Sequence, residues 1–318
     1  MIKKTFLCIA IIVALCSCSG NGQREYEKGV QAFDNHLYTE GVSCFEQAAE
    51  KGYAKAQCAL GQCYSEGWGV TQDYEQAAYW FKKAAEQDDA FGQCELGDLY
   101  YHGYGVTQDY VQAVYWYKKA AGQGDAEAQY MLGDCYFYGH GGTQDADQAV
   151  YWYKKAAEQG DAWAQYHLGW LYHDGNGVPK DSQRAASWFK KAAEQGNVDA
   201  QCELGKCYYE GKGVSQDYKE ATKWLKNPAE QGDAEAQFFL GLCCTRRYFE
   251  KEAVYWYKKA AEQGYADAQF KLGYCYFKNE GVPQDYEQAE YWLKKASEQG
   301  HSTARRWLDA LYYQLSNR

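Results

Sequence analysis

The sequence predicts an all-α protein in which pairs of helices repeat along the chain as a solenoid. One observation is a tryptophan that recurs every 36 residues, with a single interval of 32, at Trp80, Trp116, Trp152, Trp188, Trp224, Trp256 and Trp292. The other is an Ala-Gln pair, Gly-Gln in one copy, that recurs in step with it. A fixed period between about 20 and 50 residues is typical of repeat arrays. Their units stack because none can bury its apolar face alone, and this ranks a binding scaffold first among the functional classes.

The first element of a unit is a predicted helix over about 128–137. Its apolar residues, among them Ala128, Leu132 and Cys135, follow helical spacing. A Gly-rich stretch, Gly139-His140-Gly141, then ends the helix. Paired glycines permit positive φ angles. Asn279 replaces the first glycine in the last unit, and Asn is among the residues that best tolerate that conformation.

The second element is a helix that begins after Asp145 and ends near Gly160. Asp is a favourable N-cap residue because its carboxylate accepts from a free backbone N–H. Gln148, three residues later, resembles the reciprocal half of a capping box. Gly160 fits the left-handed position that ends a helix. Asp88 replaces this glycine in one unit, so we expect strain at that helix end.

These features resemble the Sel1-like repeat, a relative of the tetratricopeptide repeat, in the pattern A-x-x-L-G-x-x-Y-x-x-G-x-G-V-x-x-D-x-x-x-A-x-x-W-[YF]-K-K-A-A-E-Q-G. Seven copies cover about residues 56–300. Residues 25–52 resemble a shorter tetratricopeptide-like opening unit, and 304–318 are predicted to form a C-terminal capping helix. The resemblance implies a right-handed α-solenoid of antiparallel helix pairs whose first helices line the concave surface.

The start of the chain resembles a bacterial lipoprotein signal. A basic segment and a short apolar stretch over residues 6–15 precede Leu15-Cys16-Ser17-Cys18, which resembles a lipobox. We therefore predict a signal peptide over 1–17, lipidation of Cys18 and a polar tether over 18–24. Several acyl chains anchor a protein stably. An ordinary secretory signal with a chance cysteine is the alternative. The expected location is the cell envelope, with the outer membrane favoured because Ser19 is not acidic.

Charge and residue composition limit the classes of partner that we expect. The formal net charge is −10, and basic and acidic residues are interleaved, so no basic patch predicts nucleic-acid binding. No cofactor motif is present. Ten cysteines remain after Cys8, Cys16 and Cys18, and most occupy repeat positions that hold Leu, Tyr or Phe in other units. Free cysteine suits such buried sites, and we predict mostly free thiols.

Two functions outside peptide binding remain open. Some cysteine-rich Sel1-like proteins are described as β-lactamases, and Ser187-Trp188-Phe189-Lys190 matches S-x-x-K. However, these residues fill slots held by Tyr-Trp-Tyr-Lys in other units, and no K-T-G or S-D-N element accompanies them. We therefore predict a protein that is not an enzyme. A host-interaction factor at the cell surface is the third hypothesis.

The candidate partner site lies on the first helix of one unit. Trp163, His167 and Trp170 have the spacing i, i+4 and i+7 and so share a helical face. Neither tryptophan belongs to the repeat framework, and exposed tryptophans are typical interface anchors. We predict that they form the centre of a groove for a protein or peptide and that truncating Trp170 weakens binding without unfolding the protein. The predicted flanks, from adjacent units, are Met131, Asp134 and Glu203.

One stretch departs from the repeat. Pro228 replaces an alanine near the end of a second helix, where it is expected to kink or end that helix. The next unit lacks four residues of the Gly-rich loop. We treat 228–251 as an irregular segment of undefined role.

Overall fold

The computed structural model describes residues 22–316, which form seventeen α-helices and, within that range, no strand. The prediction of an all-α fold built from consecutive helix pairs is confirmed. The helices divide into two compact units after Gln144. The first unit contains α1 (Gln23–Asp34), α2 (Tyr38–Glu50), α3 (Ala54–Glu66), α4 (Tyr74–Ala85), α5 (Ala90–His102), α6 (Tyr110–Gly122) and α7 (Ala126–Tyr138).

The second unit contains ten helices, and its elements repeat the same lengths. They are α8 (Ala146–Glu158), α9 (Ala162–Asp174), α10 (Ser182–Glu194), α11 (Val198–Glu210), α12 (Tyr218–Glu230), α13 (Ala234–Arg246), α14 (Glu250–Glu262), α15 (Ala266–Lys278), α16 (Tyr286–Glu298) and α17 (Ser302–Ser316). From α3 onward, the odd-numbered member of each pair is called helix A and the even-numbered member helix B. None of the described helices is long and apolar enough to cross a membrane.

Left-handed residues end both kinds of helix, as predicted. The C-cap of α7 is Gly139 with φ 76°, and Gly160 after α8 has φ 99°. Asn279 has φ 62° in the place of a glycine. Asp88 also adopts a positive φ of 64°, and its carboxylate accepts a hydrogen bond from Gln93 Nε2 at 3.0 Å. The Asp88 side chain thus gains one hydrogen bond, while its backbone adopts a left-handed conformation that is energetically unfavourable for most residues other than glycine.

Aspartate begins most B helices, but the capping box is only half formed. The Asp109 carboxylate accepts from the backbone N–H of Val111 and Gln112, as predicted. The N–H of Asp109 itself donates to the carbonyl of Tyr100 on helix A at 2.9 Å. Since that donor is already used, the glutamine three residues later is not needed as its acceptor. The cap therefore ties helix B to helix A instead of closing on itself.

Small residues allow the two helices of a pair to approach. Gly97 of α5 faces the ring of Tyr117 on α6, and Gly169 of α9 faces Phe189 on α10; in both cases an added Cβ would lie 2.6 Å from the ring. Tyr117 and Phe189 are themselves fully buried. Each L-G pair of the repeat therefore provides the cleft that the large residue of helix B fills.

A ladder of buried amides links successive pairs. Gln165 on α9 donates through Nε2 to the carbonyl of Ala157 at 3.1 Å, and its Oε1 accepts from Gln195 Nε2 at 2.9 Å. Gln57 and Gln269 make the equivalent bonds in their repeats. This explains the recurrent Ala-Gln pair, because a buried polar group must find hydrogen-bond partners.

The irregular segment corrects one expectation. Helix α12 continues through Pro228 to Glu230, so the proline does not end it. Pro228 is buried, and its carbonyl still accepts from the N–H of Asp233 at 3.0 Å. Proline lacks the N–H that would bond the carbonyl four residues earlier, but the helix does not end at that point.

The four-residue deletion creates a tight turn between α13 and α14. Three residues, 247–249, replace the seven-residue loop that joins α5 to α6. Tyr248 is at the centre of this turn, with φ 63° and 90% of its surface exposed. The turn between α1 and α2 has the same form, with His36 at φ 61°. The opening pair and the irregular pair therefore share the same three-residue connection.

All ten cysteines in residues 22–316 are free thiols, as predicted, and all except Cys44 are buried. Burial raises the pKa of Cys63 and of Cys135 to about 12. These thiols are therefore protonated at neutral pH, and they pack as small apolar groups.

Candidate functional site

The predicted centre of the partner site lies on helix α9, in the second unit. Trp163, near the start of the helix, is 49% exposed. His167 and Trp170 are half-buried on the same helix. Tryptophan is highly buried on average in folded proteins. Trp163 is therefore the residue of the three that a ligand can reach most fully.

Tyr166 joins these side chains and was missed by the sequence analysis. Its ring lies 6.2 Å from that of Trp163, in an edge-to-face arrangement, and 5.4 Å from that of His167. Burial is the main cause that raises the pKa of Tyr166 to about 12; a hydrogen bond with Trp170 opposes this shift, and the nearby Glu203 carboxylate adds to it. Tyr166 occupies a repeat position that holds cysteine, tyrosine or phenylalanine in the other units, so its residue type indicated only core packing.

His167 and Trp170 face inward more than was expected. The His167 ring stacks on fully buried Tyr153 at 5.3 Å with an interplanar angle of 7°. Trp170 lies edge-to-face with Phe189 at 6.0 Å and packs against the core cluster of α10 and α11. Truncating Trp170 therefore removes core contacts, and we now expect it to lower stability as well as any binding. Trp163 is the cleaner probe.

Glu203, the predicted flank on α11, belongs to a half-buried ion triad. Lys206 Nζ lies 2.9 Å from Glu203 Oε1 and 3.0 Å from Glu235 Oε2 of α13. Burial raises the pKa of Glu203, an effect that Lys206 partly offsets. Burial alone lowers the pKa of Lys206, but the two carboxylates outweigh it and raise the pKa above its usual range. The triad fixes the geometry of α11 against α13 and leaves one negative charge uncompensated.

The surroundings of the triad are also acidic. Asp199 of α11 is exposed and acts electrostatically on Tyr166 together with Glu203. Asp174 at the end of α9 is exposed and lies 2.8 Å from His173 Nδ1. His173 in turn packs edge-to-face on Trp170 at 5.0 Å. We call the set the Trp163 surface; it comprises Trp163, Tyr166, His167, Trp170, His173 and Asp174 of α9, Asp199, Glu203 and Lys206 of α11, and Glu235 of α13.

The remaining predicted flanks, Met131 and Asp134, are half-buried on α7 in the first unit. The Asp134 carboxylate raises the pKa values of Tyr101 and of the Cys135 thiol, after the larger effect of burial on each. Of the predicted site residues, the second unit therefore contains Trp163, His167, Trp170 and Glu203.

Little in the described structure supports a catalytic role for the residues of the S-x-x-K match. Ser187 is exposed on α10, in a slot where other B helices present tyrosines such as Tyr151 and Tyr255. Lys190, the S-x-x-K lysine, is also exposed and lies 3.9 Å from Glu194. Lys190 therefore lacks the desolvated environment that typically activates a catalytic lysine. Within residues 22–316 no group of three or more His, Cys, Asp or Glu is arranged to hold a metal ion.

The predicted lipidation site, Cys18, the signal peptide over 1–17 and the start of the tether lie outside the described residues. Helix α1 begins at Gln23, within the last two residues assigned to the tether.

The stacked helix pairs, with their ladder of buried amides, define a helical-repeat protein of the solenoid class. The Sel1 repeat model matches at 14–53, 54–89, 90–125, 126–161, 164–197, 198–233, 234–265 and 266–301. The chain belongs to the Sel1 repeat family. Its fold is one that typically serves as a scaffold for protein–protein interaction and is generally non-enzymatic. The first match includes the segment predicted to be a tetratricopeptide-like opening unit.

Two solved structures show the same architecture. One is c5321, a protective antigen present in uropathogenic Escherichia coli strains, which is 39% identical with a TM-score of 0.86 over 93% of this chain and 65% of that chain. This chain thus spans 65% of the length of that relative. The other is a Sel1 repeat protein from Oxalobacter formigenes, which is 34% identical with a TM-score of 0.60 over 91% of this chain and 89% of that chain. The comparison with curated proteins gives no match.

Proposed function

We propose that this protein is a non-enzymatic scaffold of the cell envelope that binds a protein or peptide segment through the Trp163 surface. The exposure of Trp163 is the observation on which the proposal rests. An indole that is 49% accessible and packs edge-to-face on Tyr166 offers a large apolar contact at little entropic cost. Three successive A helices supply the surface, and in this architecture A helices line the concave side.

The charge of the Trp163 surface specifies the kind of partner. Asp174, Asp199, Glu203 and Glu235 contribute four carboxylates, and Lys206 contributes one ammonium group. The partner segment should therefore carry an apolar or aromatic side chain next to a basic residue. The aromatic group would pack on Trp163 and Tyr166, and the basic group would lie near Glu235, whose side chain is 39% exposed. Such complementarity sets specificity and association rate more than affinity.

Site-specific photo-cross-linking tests this assignment. A photoreactive amino acid at position 163 should capture a discrete partner in the native cell envelope. The matched control is position 255, because Tyr255 is 50% exposed but lies on a B helix of the same unit. Capture from 163 and not from 255 is expected. Equal capture from both positions, or from neither, contradicts the proposal.

Membrane attachment through Cys18 is a separate part of the proposal, and the lipobox-like sequence from Leu15 to Cys18 supports it. Cys18→Ser should move the protein from the detergent phase to the aqueous phase. The wild-type N-terminal peptide should also carry the mass of the acyl chains. Unchanged partitioning of the variant, with an unmodified N-terminus in the wild type, contradicts lipidation.

A role at the host interface is the second candidate function. The observation that favours it is the similarity to c5321, which is described as a protective antigen. A protein exposed to the host would be cleaved when a protease is added to intact cells. Full protection on intact cells, with cleavage after envelope disruption, would exclude this role and leave the scaffold inside the envelope.

A further inference from the structure

One loop of the first unit differs from its counterparts at a position that normally fills the space between helices. The fourth residue of the G-x-G-V loop is valine in most repeats, and it packs against a core cluster in four of them, at Val70, Val106, Val214 and Val282. In the loop after α7 this residue is Gly142. A Cβ added at Gly142 would meet no atom within 4 Å. Glycine at this position therefore leaves open the space that the valine side chain, which we call the plug, fills in other repeats.

That space is a cavity of about 170 Å³ between α6, α7 and the loop. Its walls are Val114 and Lys118 of α6, Cys135 and Tyr136 of α7, and His140 and Thr143 of the loop. The loop is held in place, because His140 Nδ1 lies 2.9 Å from the hydroxyl of Tyr101 and its ring stacks on Tyr110 at 4.6 Å. His140, which forms one wall of the cavity, is thus held by two contacts.

A second substitution changes the charge at the same place. The lysine equivalent to Lys118 lies within 4.0 Å of a glutamate one turn later in five other repeats, for example Lys154 with Glu158. The residue one turn after Lys118 is Gly122, which has no side chain. Lys118 Nζ lies instead over the ring of Tyr136, 5.4 Å from its centroid. Helix α6, which lines the space left open at Gly142, therefore also lacks the carboxylate that accompanies this lysine elsewhere.

We propose that the cavity beside Gly142 binds a small carboxylate that carries one compact apolar group. The apolar group occupies the volume left by the missing valine, between Val114 and Cys135, and the carboxylate lies toward Lys118 and the hydroxyl of Thr143. A cavity of about 150 Å³ is large enough for a benzene ring. The opposite orientation is unfavourable, because Asp98 and Asp134 act on the Cys135 thiol, after the larger effect of its burial, and would repel an anion at that end.

The same chemistry can come from two sources. One is a free aromatic or branched-chain acid, and the other is the C-terminal residue of a peptide. The experiment therefore uses phenylacetate as the probe, and phenylacetamide as the uncharged isostere. Two further ligands, the peptide Ala-Ala-Phe and its C-terminal amide, distinguish the sources. The full-length protein is titrated with each ligand and binding is followed by ligand-observed NMR.

We expect saturable binding of phenylacetate with a Kd on the order of 1 mM. Gly142→Val should abolish binding, because it restores the plug, and it should melt no lower than wild type. Lys118→Gln should weaken binding about fivefold, the upper range for an exposed ion pair, and phenylacetamide should bind equally weakly to both proteins. Lys82→Gln, at the equivalent position of another repeat, is the control and should bind as wild type does.

Three results would overturn the proposal. They are no saturable binding of phenylacetate, unchanged binding in Gly142→Val, or equal loss in Lys118→Gln and Lys82→Gln. If Gly142→Val unfolds the protein, Gly142→Ala provides the same test with a smaller group and should weaken binding. Stronger binding of Ala-Ala-Phe than of its amide assigns the site to a peptide terminus, whereas binding of phenylacetate alone assigns it to free acids.

Discussion

The contact between Gly97 and Tyr117 provides a sharp test of how the helix pairs pack. A Cβ added at Gly97 would lie 2.6 Å from Cε1 and 2.7 Å from Cδ1 of Tyr117, whereas carbon atoms in contact are normally about 3.5–4.0 Å apart. Tyr117 cannot retreat, since its ring is fully buried and its hydroxyl donates to Asp98 Oδ1 at 2.6 Å. Gly97→Ala must therefore separate α5 from α6 or break that hydrogen bond.

The expected loss of stability can be estimated by comparing Gly97→Ala with a second glycine-to-alanine substitution, Gly122→Ala. Gly122 ends α6 in open space, where a Cβ meets no atom within 4 Å. Alanine is about 1 kcal/mol more favourable than glycine in a helix interior, so Gly122→Ala should be neutral or stabilising. Overpacking a core typically costs about 1–3 kcal/mol. We therefore expect Gly97→Ala to be less stable than Gly122→Ala by about this amount.

Thermal unfolding of the purified variants, followed by circular dichroism, measures the difference. At roughly 2–4 °C per kcal/mol for a unit of this size, Gly97→Ala should melt several degrees below Gly122→Ala. If Gly97→Ala melts at or above the temperature of Gly122→Ala, the glycine does not provide the cleft for Tyr117 and the described packing of the pair is wrong.

Three further predictions concern the framework. Gln165→Leu removes two hydrogen bonds of the amide ladder and should cost about 1 kcal/mol; an unchanged melting temperature would show that the ladder adds no stability. Tyr248→Gly relieves a left-handed conformation that costs a side-chain residue about 1–2 kcal/mol, so it should raise the melting temperature, and a lower one would indicate a packing role for this exposed ring. Burial raises the pKa of Tyr257 above its usual range and that of Cys275 to about 12. Because the folded pKa values exceed the unfolded ones, this stability is complete below about pH 8, begins to fall as the pH passes the unfolded values of about 8.5–10, and continues to fall up to the folded values, about 12 for Cys275; an unfolding midpoint that is constant from pH 7 to 11 would contradict it.

Much of the fold could be predicted because the same residue types recur at the same structural positions in each repeat. The glycine after α7 and the aspartate before α8 have conformations that few other residues can adopt or satisfy as well, so their identity predicts the backbone. Asn279 and Asp88 show that the rule is conformational, since both adopt the positive φ of the glycines they replace.

The candidate site could be predicted only in part. Helical spacing brought Trp163, His167 and Trp170 onto one helix face, but spacing does not give the depth at which a side chain packs. Trp170 turned inward to Phe189, and Tyr166 joined the cluster from a slot that looks like core. Phe189 on α10 determines how deeply Trp170 packs, and the periodicity of α9 does not contain that partner. Tyr166 comes three residues after Trp163 on the same helix, so helical spacing does predict their contact, but its core-like residue type hid it.

The cavity at Gly142 was also beyond the sequence pattern. A glycine in a Gly-rich loop is unremarkable by itself, and its meaning depends on the space that valine fills in the other repeats. Pro228 shows the same limit, because the residue type predicts a kink or an end, whereas α12 continues through it. Short-range sequence patterns determine the repeat framework, so the sequence predicts it. Contacts with the neighbouring helices determine the structural effect of each departure from the pattern.

The most direct test of the scaffold account is the affinity of the partner for Trp163→Ala compared with Tyr255→Ala. Both residues are about half exposed, so each variant should keep its stability within about 0.5 kcal/mol of wild type. Loss of an interface anchor commonly costs about 2 kcal/mol or more, which is roughly thirtyfold in affinity. The account predicts that loss for Trp163→Ala and less than about twofold for Tyr255→Ala. Equal affinities of the two variants, with both proteins folded, would contradict it.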